Sequence, residues 1–323
     1  MMRFILRRLA QVPVTLAAIY TLTVLLAWAV PGNPLENPDG PQPPPEAVEA
    51  MKARYNLDST WRFYWSYLDG ASGVGALRDA LAGRARSGPV FDLGPSLQYR
   101  DQTVGGIISQ SLPVSVSVGA AAILIALVLG LAAGISGALR PGGWLDQLSL
   151  SFAMLGVSIP AFVVGTVLLM VAASWLGLGI VGKWGTPEGL LFPALTLGLP
   201  YAAYVARLSR EGMIEALASD YVRTARAKGL SPARVVMVHA LRNALLPVVT
   251  FLGPACAGAM TGSFVVESIF ALPGLGQHFV AAVQNKDLFL IIGVVMTFST
   301  MLVLFNLAVD VMYRWIDPRT VRE

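Results

Sequence analysis

An all-α polytopic membrane protein, with six transmembrane helices and a small outer domain between the first two, is the fold class this sequence predicts. Three observations carry that expectation. Hydrophobic residues make up 55% of the chain and charged ones only 13%, against about a quarter charged in ordinary globular domains, and the mean hydropathy is +0.64. Apolar runs of the length that crosses a bilayer, about 20 residues, recur along the chain. The charges concentrate in one polar island between such runs, with Arg207, Arg210, Arg223, Arg226, Lys228, Arg234 and Arg242 set against Glu211, Glu215 and Asp220. The formal net charge of +4 sits beside apolar segments and forms no soluble basic face, so membrane topology accounts for it better than a nucleic-acid partner. Cys256 is the single cysteine, which leaves no intrachain disulfide; no cofactor and no metal site is expected.

The elements follow in order. Leu9 to Val30 is the first span, reaching roughly 33 Å at 1.5 Å per residue, and it is too long for the core of a cleaved signal peptide. Residues 31–45 are too rich in proline for helix and read as extended. From Glu46 to Arg100 the chain is soluble in character, with an amphipathic helix around Pro45 to Tyr55. Trp61, Phe63, Tyr64, Trp65 and Tyr67 read as a small extramembrane core or an interfacial belt. Gln102 to Leu139 is uncharged and too long for one straight span; a surface helix to Ser111, a break at Leu112-Pro113 and a span over 114–137 satisfy the proline rules. The remaining spans are 148–176 with a kink at Pro160, 190–206 with Pro193 and Pro200, 244–266 with Pro247 and Pro254, and 288–309. Gly130/Gly134 and Gly258/Gly262 sit four apart and permit close helix contact.

The chain thus divides into 1–30 (N-terminus and first helix), 31–101 (extracytoplasmic), 102–311 (transmembrane core containing the loop 207–243) and 312–323 (tail). Six crossings place both termini on one face, and the basic residues select it. Arg3, Arg7, Arg8, Arg140, the island, Arg314, Arg319 and Arg322 share that face, whereas Lys183 and Lys286 alone serve the short loops opposite. The basic face is therefore expected to be cytoplasmic.

Burying the island's charges at bilayer depth costs roughly 2.5 to 3.5 kcal/mol each on an insertion scale, so the island must lie in water. Met213 to Lys228 favours helix, and Gly229 offers a stop because it tolerates the left-handed conformation. Ser231 is placed to accept from orphan amides, and Pro232 suits a first helical turn. The expectation is a helix, a sharp turn and a second short helix at the membrane surface.

Three other chemistries fit less well. Gly177 to Lys183, GLGIVGK, matches the start of a phosphate loop, but Trp184 stands where Ser or Thr must hold Mg²⁺ and an apolar span, not a strand, precedes it. Gly134-Ile135-Ser136-Gly137 is similar to the G-x-S-G of rhomboid-type intramembrane proteases, yet a serine nucleophile needs a base in reach and the chain offers only His239 and His278. An ion-coupled carrier works through intramembrane ionisable groups, and every span centre lacks them. Glu267 and Asp310 fall at span ends, where snorkelling or a helix-end role keeps their cost low.

The island carries a resemblance. RTARAKGL (223–230) followed by HALRNALLP (239–247) resembles the cytoplasmic "EAA" loop of ABC-importer permeases of the oligopeptide and dipeptide branch, with Arg223 where the name-giving Glu would stand. FDLGPSLQYRDQTVGGIISQSLPVSVSVG (91–119), ESIFALPGLGQHFVAAVQNKD (267–287) and FNLAVDVMYRWIDPR (305–319) resemble, in matching order, the oligopeptide permease B-type subunits. The resemblance implies an ABC type I importer permease fold in the inner or plasma membrane and no ATPase site in this chain. The implied partners are a homologous second permease, two ATP-binding-cassette ATPase subunits, an extracytoplasmic solute-binding protein and membrane lipid. The implied substrate is a peptide, with nickel or another small solute the alternative within the family. Residues 213–234 would form the coupling element, with Asp220, Arg223, Ala225, Arg226, Lys228 and Gly229 at the ATPase and Thr261, Ser263 and Asn306 along the substrate path.

Overall fold

Helix accounts for nearly all the regular structure in this computed structural model, which describes residues 2–29, 44–83, 89–99 and 101–316. The expectations for 31–43 and for 317–323, with Arg319 and Arg322, lie outside the described residues. The elements are α1 (Met2–Ala29), α2 (Pro45–Tyr55), α3 (Thr60–Ala71), α4 (Val74–Leu81), α5 (Val104–Leu139), α6 (Trp144–Ser158) and α7 (Ala161–Met170), closed by a π turn at Val171–Trp175. There follow α8 (Pro187–Ala218), α9 (Asp220–Ala227), α10 (Pro232–Arg234), a π turn at Val235–Ala240, α11 (Leu241–Ala244), α12 (Leu246–Met260), α13 (Phe264–Phe270), α14 (Leu275–Gln284) and α15 (Leu288–Ile316).

Among the described residues, four helices are long and apolar enough to cross a bilayer: Arg8–Ala29, Val104–Leu139, Pro187–Ala218 and Leu288–Met312. Counting bent helix pairs raises the number to seven, so the predicted six is approximate. Four spans differ from expectation. The break at Leu112-Pro113 is absent, because α5 runs unbroken through Pro113; a proline removes one amide donor and kinks a helix without having to end it. At Pro160 the change is larger than a kink. Ile159 is extended (ψ 122°), Pro160 caps α7, and the two segments meet at 103°. The expected span 244–266 is a 15-residue helix that stops at Met260, before Gly262 (φ 89°) and Ser263, whose hydroxyl accepts from the Val266 amide. Gly258 and Gly262 therefore do not share a helix face.

The expected span 190–206 is also too short. Helix α8 starts at Pro187, capped by Thr186 Oγ1 accepting from Gly189 N at 3.1 Å, and continues through Arg207 and Arg210 to Ala218. Thr186-Pro187-Glu188 is a helix-start signature. The helix tolerates Pro193 and Pro200.

Two compact units emerge. One comprises Val114–Gly274 and the chain from Met301. Its core holds Val118, Ala122, Leu197, Ala259, Val266 and Phe270, and small residues let its helices close on one another. A Cβ at Gly130 would stand 2.6 Å from the Ala202 carbonyl oxygen, and one at Gly134 would collide with Ser209 Oγ and the Ala206 carbonyl. The Gly130/Gly134 pair thus brings α5 against α8. Gly198 makes the reciprocal approach to Ala122. Of the two roles expected for Glu267 the structure shows the helix-end one: it lies in the first turn of α13, is buried (2% exposed) and accepts from Ser115 Oγ at 2.8 Å, so it does not snorkel. Ser136 donates to the Ala133 carbonyl of its own helix.

The other unit comprises residues up to Pro113 and Leu275–Thr300. Its core is aromatic, with Phe63 packed among Trp28, Tyr67 and Phe289 at ring separations of 5.5 to 5.7 Å, as the small-core reading of that cluster requires. Helix α2 lies where expected. Asp287 gathers the chain ahead of α5: its carboxylate accepts from Ser96 Oγ and the amides of Leu97, Gln98 and Leu290. Burial pushes this carboxyl above its ordinary range, and those four donors pull it back.

The glycine contacts give a direct test. Gly134→Val forces α5 away from α8, and the yield of monodisperse protein in detergent should collapse. Gly105→Ala, where an added Cβ meets nothing within 4 Å, should leave yield and melting temperature unchanged or raise the latter slightly; equal behaviour of the two variants would contradict the packing described.

Candidate functional site

The polar island folds as an elbow built on the end of α8. The expected continuous helix over 213–228 is interrupted: Ala218 ends α8, Ser219 adopts an extended ψ of 155°, and α9 restarts at Asp220. The Ser219 hydroxyl donates to the Ala216 carbonyl, an instance of a serine side chain competing with the helical ladder. Helix α9 then ends in a Schellman motif. Gly229, at φ 75°, donates to the Arg226 carbonyl at 2.9 Å, and Leu230 donates to the Ala225 carbonyl at 3.4 Å. Pro232 opens α10 as expected, but the Ser231 side chain makes no capping bond. Proline at the first position removes one of the amides a cap would serve, and the Ser231 carbonyl accepts from Val235 N instead.

Apolar residues hold the elbow together. Val222 and Ala225 face inward, with Met213, Ala216, Val235, Ala240 and Ala244, against Ala138 near the end of α5. Leu230 covers the same cluster, which is the contact that accompanies a Schellman turn. Gly212 lets α8 meet α11, since a Cβ there would lie 2.5 Å from the Ala244 carbonyl oxygen. The return segment carries the π turn at 235–240 and bends by 51° into α12.

The opposite face is charged. Arg223, Arg226 and Lys228 are exposed, as are Thr224 and Gly229. Asp220 is almost fully exposed and pairs with Arg223 at 3.4 Å, a contact worth little in water. Of the residues singled out for coupling, five lie on this outer side; Ala225 lies beneath it, 5% exposed, as part of the elbow's packing. A Cβ at Gly229 meets nothing within 4 Å, so that glycine is needed for its backbone conformation and not for space.

Sequence reasoning missed the anchor at the base of the elbow. Asp146, at the start of α6, receives Arg210 of α8 through both Nε (2.5 Å) and Nη2 (2.9 Å) and also accepts from Gly142 N at 2.8 Å. Asp146 is buried and Arg210 half-buried. This bidentate pair ties α8 to α6 where α8 turns from apolar to charged. The usable signal was a lone Asp in the first turn of an apolar helix. The three residues proposed for the path are dispersed in role. Thr261 Oγ1 donates to its own helix at Gly258, Ser263 caps α13, and Asn306 lies half-buried with its Oδ1 against Gly253. The phosphate-loop lookalike follows a π turn, and Gly182 N donates to the Phe270 carbonyl at 2.9 Å.

The chain is similar to known proteins. A family described as "Binding-protein-dependent transport system inner membrane component" matches residues 126–322, and its N-terminal companion, "Binding-prot-dependent transport system membrane comp, N-term", matches 1–119. The oligopeptide transport system permease protein OppB of Haemophilus influenzae is 39% identical over 99% of both chains. The dipeptide transport system permease protein DppB of Bacillus subtilis is 38% identical over 99% of this chain and 98% of its own. An inward-facing crystal structure of the MetNI methionine ABC transporter superposes with a TM-score of 0.52 at 18% identity, covering 65% of this chain and 96% of the other. That likeness is one of fold.

The anchor is testable. Asp146→Ala leaves the partly buried Arg210 guanidinium without its carboxylate and should lower the melting temperature in detergent. Arg210→Lys keeps the charge but loses the fork and should fall between. A melting temperature unchanged in Asp146→Ala would show that the pair does not hold the elbow.

Proposed function

We propose that this chain, which belongs to the binding-protein-dependent transport inner-membrane family, is one permease subunit of an ATP-driven importer of oligopeptides or dipeptides. The observation that carries this reading is the near full-length similarity to oligopeptide and dipeptide permeases, 39% and 38% over essentially the whole of both partners. The elbow supports the mechanism. In it a cationic face stands on a packed apolar base that continues, through α8, into the membrane.

The reading supplies the partners. A homologous permease completes the path, two ATP-binding-cassette subunits supply the work, an extracytoplasmic binding protein delivers the peptide, and the chain itself binds no nucleotide. The elbow and both termini face the cytoplasm, where the excess of Lys and Arg belongs. ATP binding draws the two ATPase subunits together, and residues 213–234 move with them. Asp220, Arg223, Arg226 and Lys228 make the polar contacts, Ala225 packs the lever, and Gly229 sets its turn. Because α8 runs without interruption from Pro187 to Ala218, displacement of its end is passed along its length to the path. A route suited to peptides of varied sequence should be uncharged. Asn306 is the better candidate for its lining, because the hydroxyls of Thr261 and Ser263 already serve their own backbone.

Gly229 separates coupling from folding. A Cβ at left-handed φ costs about 1–2 kcal/mol and would distort the turn locally. The expected result for Gly229→Val, reconstituted with its partner subunits, is normal insertion and ATP hydrolysis with peptide uptake lost. Gly229→Asn, which tolerates that conformation, should retain uptake. Full uptake by the valine variant would count against the assignment of the elbow.

A further inference from the structure

Helix α3 belongs by sequence to the hydrophilic segment between the first two spans, yet it packs along the side of α1. Tyr20 Oη donates to the Tyr64 carbonyl at 2.7 Å, and Thr21 Oγ1 and Tyr64 Oη share a hydrogen bond of 2.9 Å. Tyr20 stacks on Tyr67 with ring centroids 6.0 Å apart, and Trp28 meets Phe63 at 5.5 Å. The contact thus runs along α1 from Tyr20 to Trp28.

That part of α1 has no room to stand clear of the membrane. Its apolar stretch from Leu9 to Ala29 extends about 31 Å at 1.5 Å per residue, and the hydrocarbon core of a bilayer is about 30 Å thick. Tyr20 therefore lies about 14 Å in from Ala29. Any tilt of α1 shortens its reach and sinks the contact further. On the side of α3 away from its core, Trp61 and Trp65 are exposed, 65% and 53%, with Arg62 between them. Leu22, Leu25 and Leu26, on the face of α1 turned away from α3, are likewise exposed, as the lipid-facing side of a span requires.

We propose that α3 is an interfacial helix, seated at the border of headgroups and acyl chains with Trp61 and Trp65 against lipid. Indole suits that border because its ring is apolar and its N–H finds a partner at headgroup level. Arg62 is long enough to carry its guanidinium up to lipid phosphate while its stem stays apolar. Among the polar groups of α3 that face α1, Tyr64 accepts through its carbonyl and bonds through its hydroxyl, while the buried Tyr67 hydroxyl beside Tyr20 has no partner among the described residues. The segment so placed is a collar on the span, not a free outer domain. The inference needs only that α1 crosses a bilayer, and it stands or falls separately from the transport reading.

Tryptophan fluorescence of the assembled transporter in lipid nanodiscs tests it. The difference in emission between the native protein and Trp61→Phe/Trp65→Phe isolates these two indoles. That difference signal should be lost when the nanodisc lipid is brominated high on its acyl chains and should persist in aqueous iodide. Quenching by iodide but not by bromolipid would place α3 in water, and quenching by neither would place it against a partner chain; both overturn the proposal. Should the double variant fail to assemble, Trp65→Cys in a Cys256→Ser background gives a second reading. A water-soluble maleimide should modify it far more slowly than Ala53→Cys on exposed α2, and equal rates would overturn the proposal.

Discussion

Hydrocarbon excludes the charges between Arg207 and Arg242, at roughly 2.5 to 3.5 kcal/mol each on an insertion scale, yet the helix that carries the first of them starts among apolar residues at Pro187. That constraint organises the molecule. On the proposed reading α8 leaves the membrane between Ala206 and Arg210, and an ion pair to a buried carboxylate stands at that point. Asp146 grips Arg210 through two guanidinium nitrogens and adds the Gly142 amide. Beyond that point the chain can only build outward, in water, on whatever apolar surface it brings with it.

What it brings is small but well distributed. Val222, Ala225, Val235 and Ala240 recur at spacings that face them all toward Met213 and Ala138, which leaves the cations on the outer side. The Schellman turn at Gly229 and the cover supplied by Leu230 fix the angle between the two arms. A surface held in this way is packed as one piece with the end of α8. Glycines and alanines deeper in the unit extend the rigidity: Gly130 and Gly134 seat α5 on α8, and Gly156 places α6 against Ala203. Close packing of this kind favours rotation of whole helices over local bending, because interiors at native density resist continuous deformation.

The fold class and the elbow were legible because each rests on a local rule. Composition and apolar run length reveal spans, a cluster of charges reveals an aqueous loop, and a glycine after an Ala/Arg-rich helix reveals a turn. Span boundaries were less legible, since prolines act differently by context. Pro113 is absorbed within α5, Pro200 within α8, and Pro160 marks a turn of 103°; only the packing around each decides among these. Tertiary pairings were not legible at all. Nothing local links Asp146 to Arg210, 64 residues away, or Ser115 to Glu267, 152 away. Glu267 looked like a span-end residue because its burial depends on a turn at Gly262 that neighbouring residues do not announce. The site residues divided along the same line. The outward cations followed from the cost of burying charge and from the family resemblance, whereas the inward position of Ala225 required the fold.

On the proposed function the elbow receives work from a separate nucleotide-hydrolysing subunit, and cross-linking reports that contact. A single cysteine at Arg226, in a transporter whose Cys256 is replaced by serine, should form a short-reagent cross-link to an ATPase subunit, with a yield that changes when ATP is added. Absence of any such product in the intact complex, or modification of that cysteine by impermeant reagent from the outer side of sealed cells, would contradict the account.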